Sequence, residues 1–188
     1  MQTPYSQTNQ TFSDSAHMVA RSALYPRLFN CKENMLTFED TSLGMSDRAT
    51  ILDGEMGIDR IVNVSVPSLH GPLVFTIQER FRRQKFSSFT DITITEYNRD
   101  TGHLSELYKM NAGLFVYGFF CDKNNVFSKW VAVDVNKMLY CIAVNKLKYS
   151  RALNRRSNQD FIAIEVASLK NSDCILGGIN PHLWGVQS

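Results

Sequence analysis

The chain has 188 residues, of which 44% are hydrophobic and 20% charged, which suits one domain with a sizeable core and excludes disorder along its whole length. The net charge is only +2, so binding of nucleic acid would need a local basic patch rather than the field of the whole molecule. The cysteines lie far apart without a CxxC pair, which gives no support to a zinc knuckle and favours buried or idle thiols in a reducing compartment.

The N-terminal segment, residues 1–12, is rich in Gln, Thr, Asn and Ser and is predicted to be a flexible leader. It has neither the positive head nor the apolar stretch of a signal peptide. No apolar run approaches the roughly 20 residues that cross a bilayer. We therefore expect no membrane contact, a cytoplasmic location (the host cytoplasm if the protein is viral), and a single domain over residues 13–188.

The first half of that domain predicts one helix followed by strands. Ser13 or Asp14 can cap a helix with apolar residues at helical spacing, which Pro26 is expected to stop. Residues 30–56 suggest irregular structure. Alternating or β-branched residues then predict three strands, expected to form an antiparallel meander, over residues 57–66, 73–81 and 91–97.

The second half predicts further strands with two intervening helices. The expected elements are a short helix over 104–111, strands over 114–121 and 130–135, a helix over 136–147 and a strand over 161–166. The tail contains Gly177, Gly178 and Pro181 and is predicted to be a loop. The fold class is mixed α/β (α+β), with a central mixed sheet flanked by helices.

Acidic and amide side chains cluster at the first two predicted strands. Asp53, Glu55 and Asp59 lie just before and at the start of the first strand. The second strand carries Gln78, Glu79 and Arg80. Because antiparallel neighbours lie about 5 Å apart, a hairpin would bring these groups together. Mg²⁺ prefers a few hard oxygen ligands, so two or three such side chains could hold it beside a phosphodiester.

Two segments, residues 57–61 and 76–82, resemble the core motif of the PD-(D/E)XK nuclease superfamily, in which a strand-borne Asp is followed by acid-x-Lys on the next strand. The resemblance covers roughly residues 13–135. It implies a restriction-endonuclease-like αβββαβ core and Mg²⁺-dependent (or Mn²⁺-dependent) cleavage of nucleic acid, with DNA favoured over RNA. From this resemblance we also expect a phage or viral source.

The resemblance assigns roles to three residues of the motif, and the predicted catalytic residues are these three, Asp59, Gln78 and Arg80, together with Glu79. Asp59 matches the motif Asp and is expected to ligate metal, and Gln78 matches the acid, which some branches replace by Gln. Arg80 falls where the Lys should be. Arginine stays protonated, so it can hold a phosphate but is a poor general base. The alternative is therefore a catalytically inactive module of the same fold that binds nucleic acid or a protein partner.

The orientation of Glu79 depends on the strand register. Strict alternation puts Gln78 and Arg80 on one face and Glu79 on the other, whereas a bulge would turn Glu79 toward the metal. A carboxylate among apolar neighbours is costly to bury alone, so Glu79 should be paired or metal-bound. The metal ligands predicted on this basis are Asp59, Glu79 and Glu55.

Other polar residues are candidates for contact with nucleic acid or for supporting roles. The predicted nucleic-acid-binding residues are Arg82, Arg83, Lys85, Lys146, Lys148, Arg151, Arg155 and Arg156, for which a plain solvated surface is the alternative. His17 or Asp14 on the first helix could add a polar group to the site. Glu106 and Lys109 are expected either at the protein surface or as groups that support the site from behind. Many nucleases of the resembled kind form dimers, so a homodimer is also considered.

Overall fold

The computed structural model describes residues 7–41, 46–179 and 184. The helices are α1 (Gln7–Val19), α2 (Tyr25–Leu28), α3 (Asp47–Thr50), α4 (Glu106–Lys109), α5 (Val135–Ala143) and α6 (Val166–Asn171). The strands are β1 (Leu36–Asp40), β2 (Arg60–Val64), β3 (Leu73–Arg83), β4 (Asp91–Asn98), β5 (His103–Leu104), β6 (Leu114–Cys121), β7 (Val126–Asp134), β8 (Tyr149–Asn154), β9 (Gln159–Glu165) and β10 (Ile175–Ile179).

Two sheets organise these strands. A six-stranded sheet has the order β1-β2-β3-β6-β7-β10, and only its β3–β6 pair is parallel. A four-stranded antiparallel sheet has the order β5-β4-β9-β8. The predicted mixed α+β class with a central mixed sheet and flanking helices is confirmed. In the described part of the chain, no helix has both the length and the apolar character needed to cross a bilayer.

The N-terminal helix departs from its prediction at both ends. It begins at Gln7, inside the predicted leader, and the ring centroid of Phe12 lies 5.8 Å from that of Phe120, which anchors this turn. It also does not stop at Pro26. A π-helical turn (Ala20–Leu24) leads into α2, so Pro26 falls in the first turn of a new helix, where a missing N–H breaks no bond.

Three further predictions of local structure were wrong. Residues 30–56 contain β1 and α3, and the tail contains β10 rather than only loop. The strand β4 does not extend the β2–β3 hairpin but lies in the second sheet, because β6 takes the place beside β3. The meander is therefore β1-β2-β3, one strand earlier than predicted.

The core consists of two apolar layers on opposite faces of the six-stranded sheet. On one face, Phe115, Tyr117 and Phe119 of β6 pack with the isoleucines of β4 and β9. On the other face, Val116 packs with residues of the N-terminal helices such as Leu24. This arrangement explains why β6 is apolar at nearly every position, since a strand covered on both faces has no solvent side.

The close packing of β10 on β7 provides a test of β10, the strand that the sequence analysis predicted to be a loop. A Cβ added at Gly178 would lie 2.8 Å from the backbone oxygen of Trp130, which cannot move aside as a side chain could. We expect Gly178→Ala to lower the free energy of unfolding by about 1–3 kcal/mol, measured by urea denaturation. Gly71→Ala is the control, because its Cβ would meet no described residue within 4 Å. Equal stability of the two variants would contradict this packing.

Candidate functional site

The start of β2 brings an acid against β3. The backbone N–H of Asp59 donates to the oxygen of Ile77 at 2.9 Å, which aligns the residue with the second strand. The Asp59 Oδ2 atom accepts hydrogen bonds from Gln78 Nε2 at 2.8 Å and from the backbone N–H of Glu79 at 2.6 Å. The structure thus brings Asp59 and Gln78 together, as the hairpin argument requires.

Asp59 lies in a concave pocket of about 280 Å³. Its lining comes from the turn before β2, from β3, from β4 and from α4. The lining residues are Asp53, Gly57, Asp59, Gln78, Glu79, Arg80, Thr95, Ser105, Glu106 and Lys109. Glu55, a predicted metal ligand, is exposed and is not in this lining, whereas its neighbour Asp53 is.

The α4 residues Glu106 and Lys109 line the pocket directly, whereas the sequence analysis expected them only at the surface or in support of the site. The only signal in the sequence was their spacing, since residues three apart share one helix face. Glu106 Oε2 accepts hydrogen bonds from both the backbone N–H and the hydroxyl of Thr95 at 3.1 Å. These bonds fix α4 to β4 and hold Glu106 beside the strand-borne acids.

Arg80 faces the pocket, but its guanidinium is already engaged. It forms an ion pair with Glu106, and its Nη1 donates to the backbone oxygen of Thr93 at 3.1 Å. Only 28% of the Arg80 side chain and 10% of the Glu106 side chain are exposed, so solvent screens this pair weakly. The cation at the position of the motif Lys is therefore largely neutralised within the protein, and Lys109 is the pocket's other cation.

The surroundings of Asp59 disfavour its charged form. Burial raises the pKa of its carboxyl well above the usual 3.8, and the negative charges of Glu79, Asp53 and Glu106 raise it further. The hydrogen bond from the Glu79 backbone N–H acts in the opposite direction without cancelling these effects. Strong perturbation of a carboxyl in a pocket is typical of functional sites.

Glu79 occupies the opposite face of the same strand. Its carboxylate accepts hydrogen bonds from Arg60 Nε at 3.2 Å and Nη2 at 3.1 Å, and from the hydroxyl of Tyr25. His17 Nδ1 of α1 lies 2.8 Å from Glu79 Oε2. The strict alternation therefore holds without a bulge, and Glu79 gives the pocket its backbone N–H rather than its carboxylate. This corrects its prediction as a metal ligand.

The partners of Glu79 outweigh the cost of its burial. Burial alone would raise the pKa of this carboxyl, but the hydrogen bond from His17 and the charge of Arg60 lower it from 4.5 to about 2. His17 thus supports the strand pair from behind and is not part of the pocket. Asp14, the other candidate on this helix, is exposed and accepts a hydrogen bond from Gln10 Nε2 at 2.9 Å.

The predicted basic residues divide into two groups. Near the end of β3, Arg82 donates to the Tyr117 hydroxyl at 3.3 Å, and Arg83 pairs with Asp122 at 2.9 Å. Lys85 is exposed, with Nζ 5.1 Å from the ring centroid of Phe86. The second group is exposed on and around β8 and comprises Lys146, Lys148, Arg151, Arg155 and Arg156.

Comparisons with protein families, curated proteins and solved structures gave no match. The expected likeness to PD-(D/E)XK nucleases therefore rests on the sequence pattern of residues 57–61 and 76–82. Across residues 7–41, 46–179 and 184, no three or more His, Cys, Asp or Glu side chains are grouped as ligands of a metal ion.

The donor atoms of the pocket nevertheless fit Mg²⁺ in kind. Mg²⁺ keeps several waters and is commonly held by one or two carboxylates together with substrate phosphates. Asp59 supplies one carboxylate, and Asp53 and Glu106 add negative charge. Among the residues that the structure describes, the buried Gln78 Oε1 atom has no hydrogen-bond partner, which leaves a hard oxygen unsatisfied beside Asp59.

The buried Glu79 pair generates a prediction about stability and pH. Because its folded pKa lies below 4.5, Glu79 stabilises the fold above that pH, and the contribution is lost as pH falls toward about 2. We expect Glu79→Gln to cost on the order of 3 kcal/mol at neutral pH and progressively less in acid, measured by urea denaturation. Glu55→Gln, at an exposed carboxylate, is the control. A deficit that does not change with pH would refute the assigned cause.

Proposed function

We propose that the protein is a Mg²⁺-dependent nuclease that hydrolyses phosphodiester bonds in the pocket of Asp59. The observation that supports this most is the meeting of the Asp59 carboxylate and the Gln78 amide across β2 and β3, with a lysine on the facing wall. Acids that could hold a cation and an ammonium that could bind phosphate form a combination suited to phosphoryl chemistry.

Each residue of the pocket has a separate role in this proposal. Asp59 and Gln78 would hold the ion, and Asp53 and Glu106 would strengthen its binding through their charge. When bound, Mg²⁺ or Mn²⁺ would supply Lewis acidity at the phosphorus that water attacks. Lys109 is exposed, and its Nζ donates to the backbone oxygen of Gly54 at 3.1 Å, so the ammonium stands where it could bind a phosphate oxygen.

Arg80 has a positioning role in this proposal. Its ion pair with Glu106 fixes the acid of α4 against β3, so its charge stabilises the pocket rather than the substrate. This differs from the role suggested by the resemblance, in which Arg80 holds the phosphate. The preference for DNA, the phage or viral source and a homodimer belong to the same proposal and are supported by the resemblance alone, whereas a cytoplasmic location is proposed from the cysteine spacing, which suits a reducing compartment.

A second candidate function is a catalytically inactive module that binds nucleic acid through the exposed basic residues around β8. The pairing of Arg80 with Glu106 favours it, because no unpaired cation then occupies the position of the motif lysine. Such a module would bind nucleic acid without added metal, with an affinity that falls steeply as salt is raised.

Replacement of Asp59 tests the nuclease proposal. We expect Asp59→Asn to lower Mg²⁺- or Mn²⁺-dependent cleavage of labelled DNA and RNA by on the order of 100-fold or more, because the amide carries no charge for the ion. Folding should persist, since the Asn oxygen can still accept the Glu79 N–H. Because the raised pKa makes the ionised carboxylate costly at neutral pH, the variant should be no less stable than the parent.

The matched control is Asp173→Asn, the same change at an exposed acid outside the pocket. Asp173 has a φ of 51°, a left-handed conformation that asparagine also tolerates. This variant should cleave as fast as the parent. Cleavage by Asp59→Asn at the parental rate would refute the nuclease assignment, and metal-independent binding without cleavage by the parent would favour the inactive module.

A further inference from the structure

Asp59 is recessed between two walls that are joined to each other. The residues before β2 form one wall and α4 with its flanks forms the other. Lys109 Nζ reaches the backbone oxygen of Gly54 at 3.1 Å, and the Asn111 N–H donates to the oxygen of Met56 at 2.8 Å. These bonds fix the separation of the walls, so the pocket cannot widen without breaking them.

The pocket is small for a nucleic-acid site. Its volume of about 280 Å³ lies just below the range of typical ligand pockets, which span about 300–1,000 Å³. We infer that a space of this size takes a single phosphodiester group rather than a longer stretch of backbone. Bending a short stretch of double-stranded DNA toward a recess costs on the order of 1–6 kcal/mol, a cost that a flexible unpaired strand avoids. Extruding a nucleotide from a duplex costs a few kcal/mol, whereas an unpaired strand enters without that cost.

An exposed surface suited to an unpaired strand lies on α4, at the residue that precedes Lys109 of the pocket lining. Tyr108, next to Lys109 on α4, is 55% exposed. Its hydroxyl donates to Glu96 Oε1 at 3.1 Å, and Arg151 of β8 binds the same carboxylate at 2.8 Å. The exposed ring of Tyr108 is thus connected through Glu96 to Arg151.

The strand β8 continues this surface with positive charge. It is the edge strand of its sheet, and Lys148, Arg155 and Arg156, at and beyond its ends, are all exposed. Exposed aromatic rings on which bases stack, together with cations along the path of the backbone, are the features by which proteins bind single strands without reading their sequence.

We propose that the substrate is a single-stranded polynucleotide whose backbone enters the Asp59 pocket while a neighbouring base stacks on Tyr108 and the adjoining phosphates lie along β8. This inference rests on the proposed nuclease function for the cleavage step, but not for the binding surface. It excludes an intact duplex as the preferred substrate. The sugar type is not selected by any of these contacts, so single-stranded DNA and RNA both qualify.

The test uses the full chain with one labelled oligonucleotide, either alone or annealed to its complement, in DNA and RNA forms. Binding is measured by fluorescence anisotropy without metal, and cleavage is measured with Mg²⁺ or Mn²⁺. We expect the single strand to be bound, and cut, at least about 10-fold better than the duplex, which must unpair before it enters. Tyr108→Ala should weaken single-strand binding by on the order of 5- to 100-fold.

Tyr108→Phe is the matched variant. It keeps the ring but loses the hydroxyl bond to Glu96, so it should bind the single strand as the parent does. If Phe weakens binding as much as Ala, the ring is not a stacking platform and the inference fails.

The outcomes separate the two proposals. Tyr108-dependent binding of the single strand without cleavage would sink the nuclease function and support the binding surface. Equal cleavage of both forms would support the nuclease and overturn the single-strand inference. If neither form is bound or cut, both proposals fail.

Discussion

The candidate site depends on one hydrogen bond, in which the backbone N–H of Glu79 donates to the Asp59 carboxylate. Because Glu79 also places its carboxylate on the opposite face, this bond links the groups on the two faces of the β2–β3 pair. On the pocket side, it holds Asp59 against Gln78. On the other side, the carboxylate of the same Glu79 is buried against Arg60, Tyr25 and His17. The position of the acid in the pocket is therefore set by a buried ion pair behind it.

The carboxyl groups on the two faces have pKa values that are shifted in opposite directions. Glu79 has a pKa lowered to about 2 because a hydrogen bond from His17 and the charge of Arg60 prevail over its burial. Asp59 has a raised pKa because burial and neighbouring acids prevail over its hydrogen bond. The first carboxylate stabilises the fold and the second costs stability at neutral pH. Alternation along β3 turns the carboxylate of Glu79 away from the pocket, whereas its backbone N–H holds Asp59, the candidate functional acid just before β2, inside it.

The parts of the fold that could be predicted are those with strong local patterns. The strand β6 matches its prediction at both ends, because continuous apolar residues bounded by turns leave little choice. The strand β1 was missed because only its first residue is buried and its last two are acids, which removes the alternating pattern. The strand β10 was missed because its paired glycines suggest a loop, whereas they allow close approach to Trp130.

The residues of the candidate site that the sequence could not predict were missed for a different physical reason. Asp59 and Gln78 lie on neighbouring strands of one hairpin, so local reasoning could bring them together. Glu106 and Lys109 reach the pocket only because β4 leaves the first sheet and returns through β5 and α4, a path set by contacts distant in sequence. The ion pair between Arg80 and Glu106 depends on that path, so it could not be predicted from the motif.

The composition of the pocket argues for a ligand rather than for a purely structural cluster. Asp53, Asp59 and Glu106 place three acids around a space that also contains Arg80 and Lys109. The guanidinium of Arg80 is paired with Glu106, yet the charge of Glu106 still raises the pKa of Asp59. A cation bound at Asp59 would relieve this repulsion and satisfy the lone Gln78 oxygen together. A fold selected only for stability would favour neutral side chains here, because the ionised Asp59 opposes folding at neutral pH.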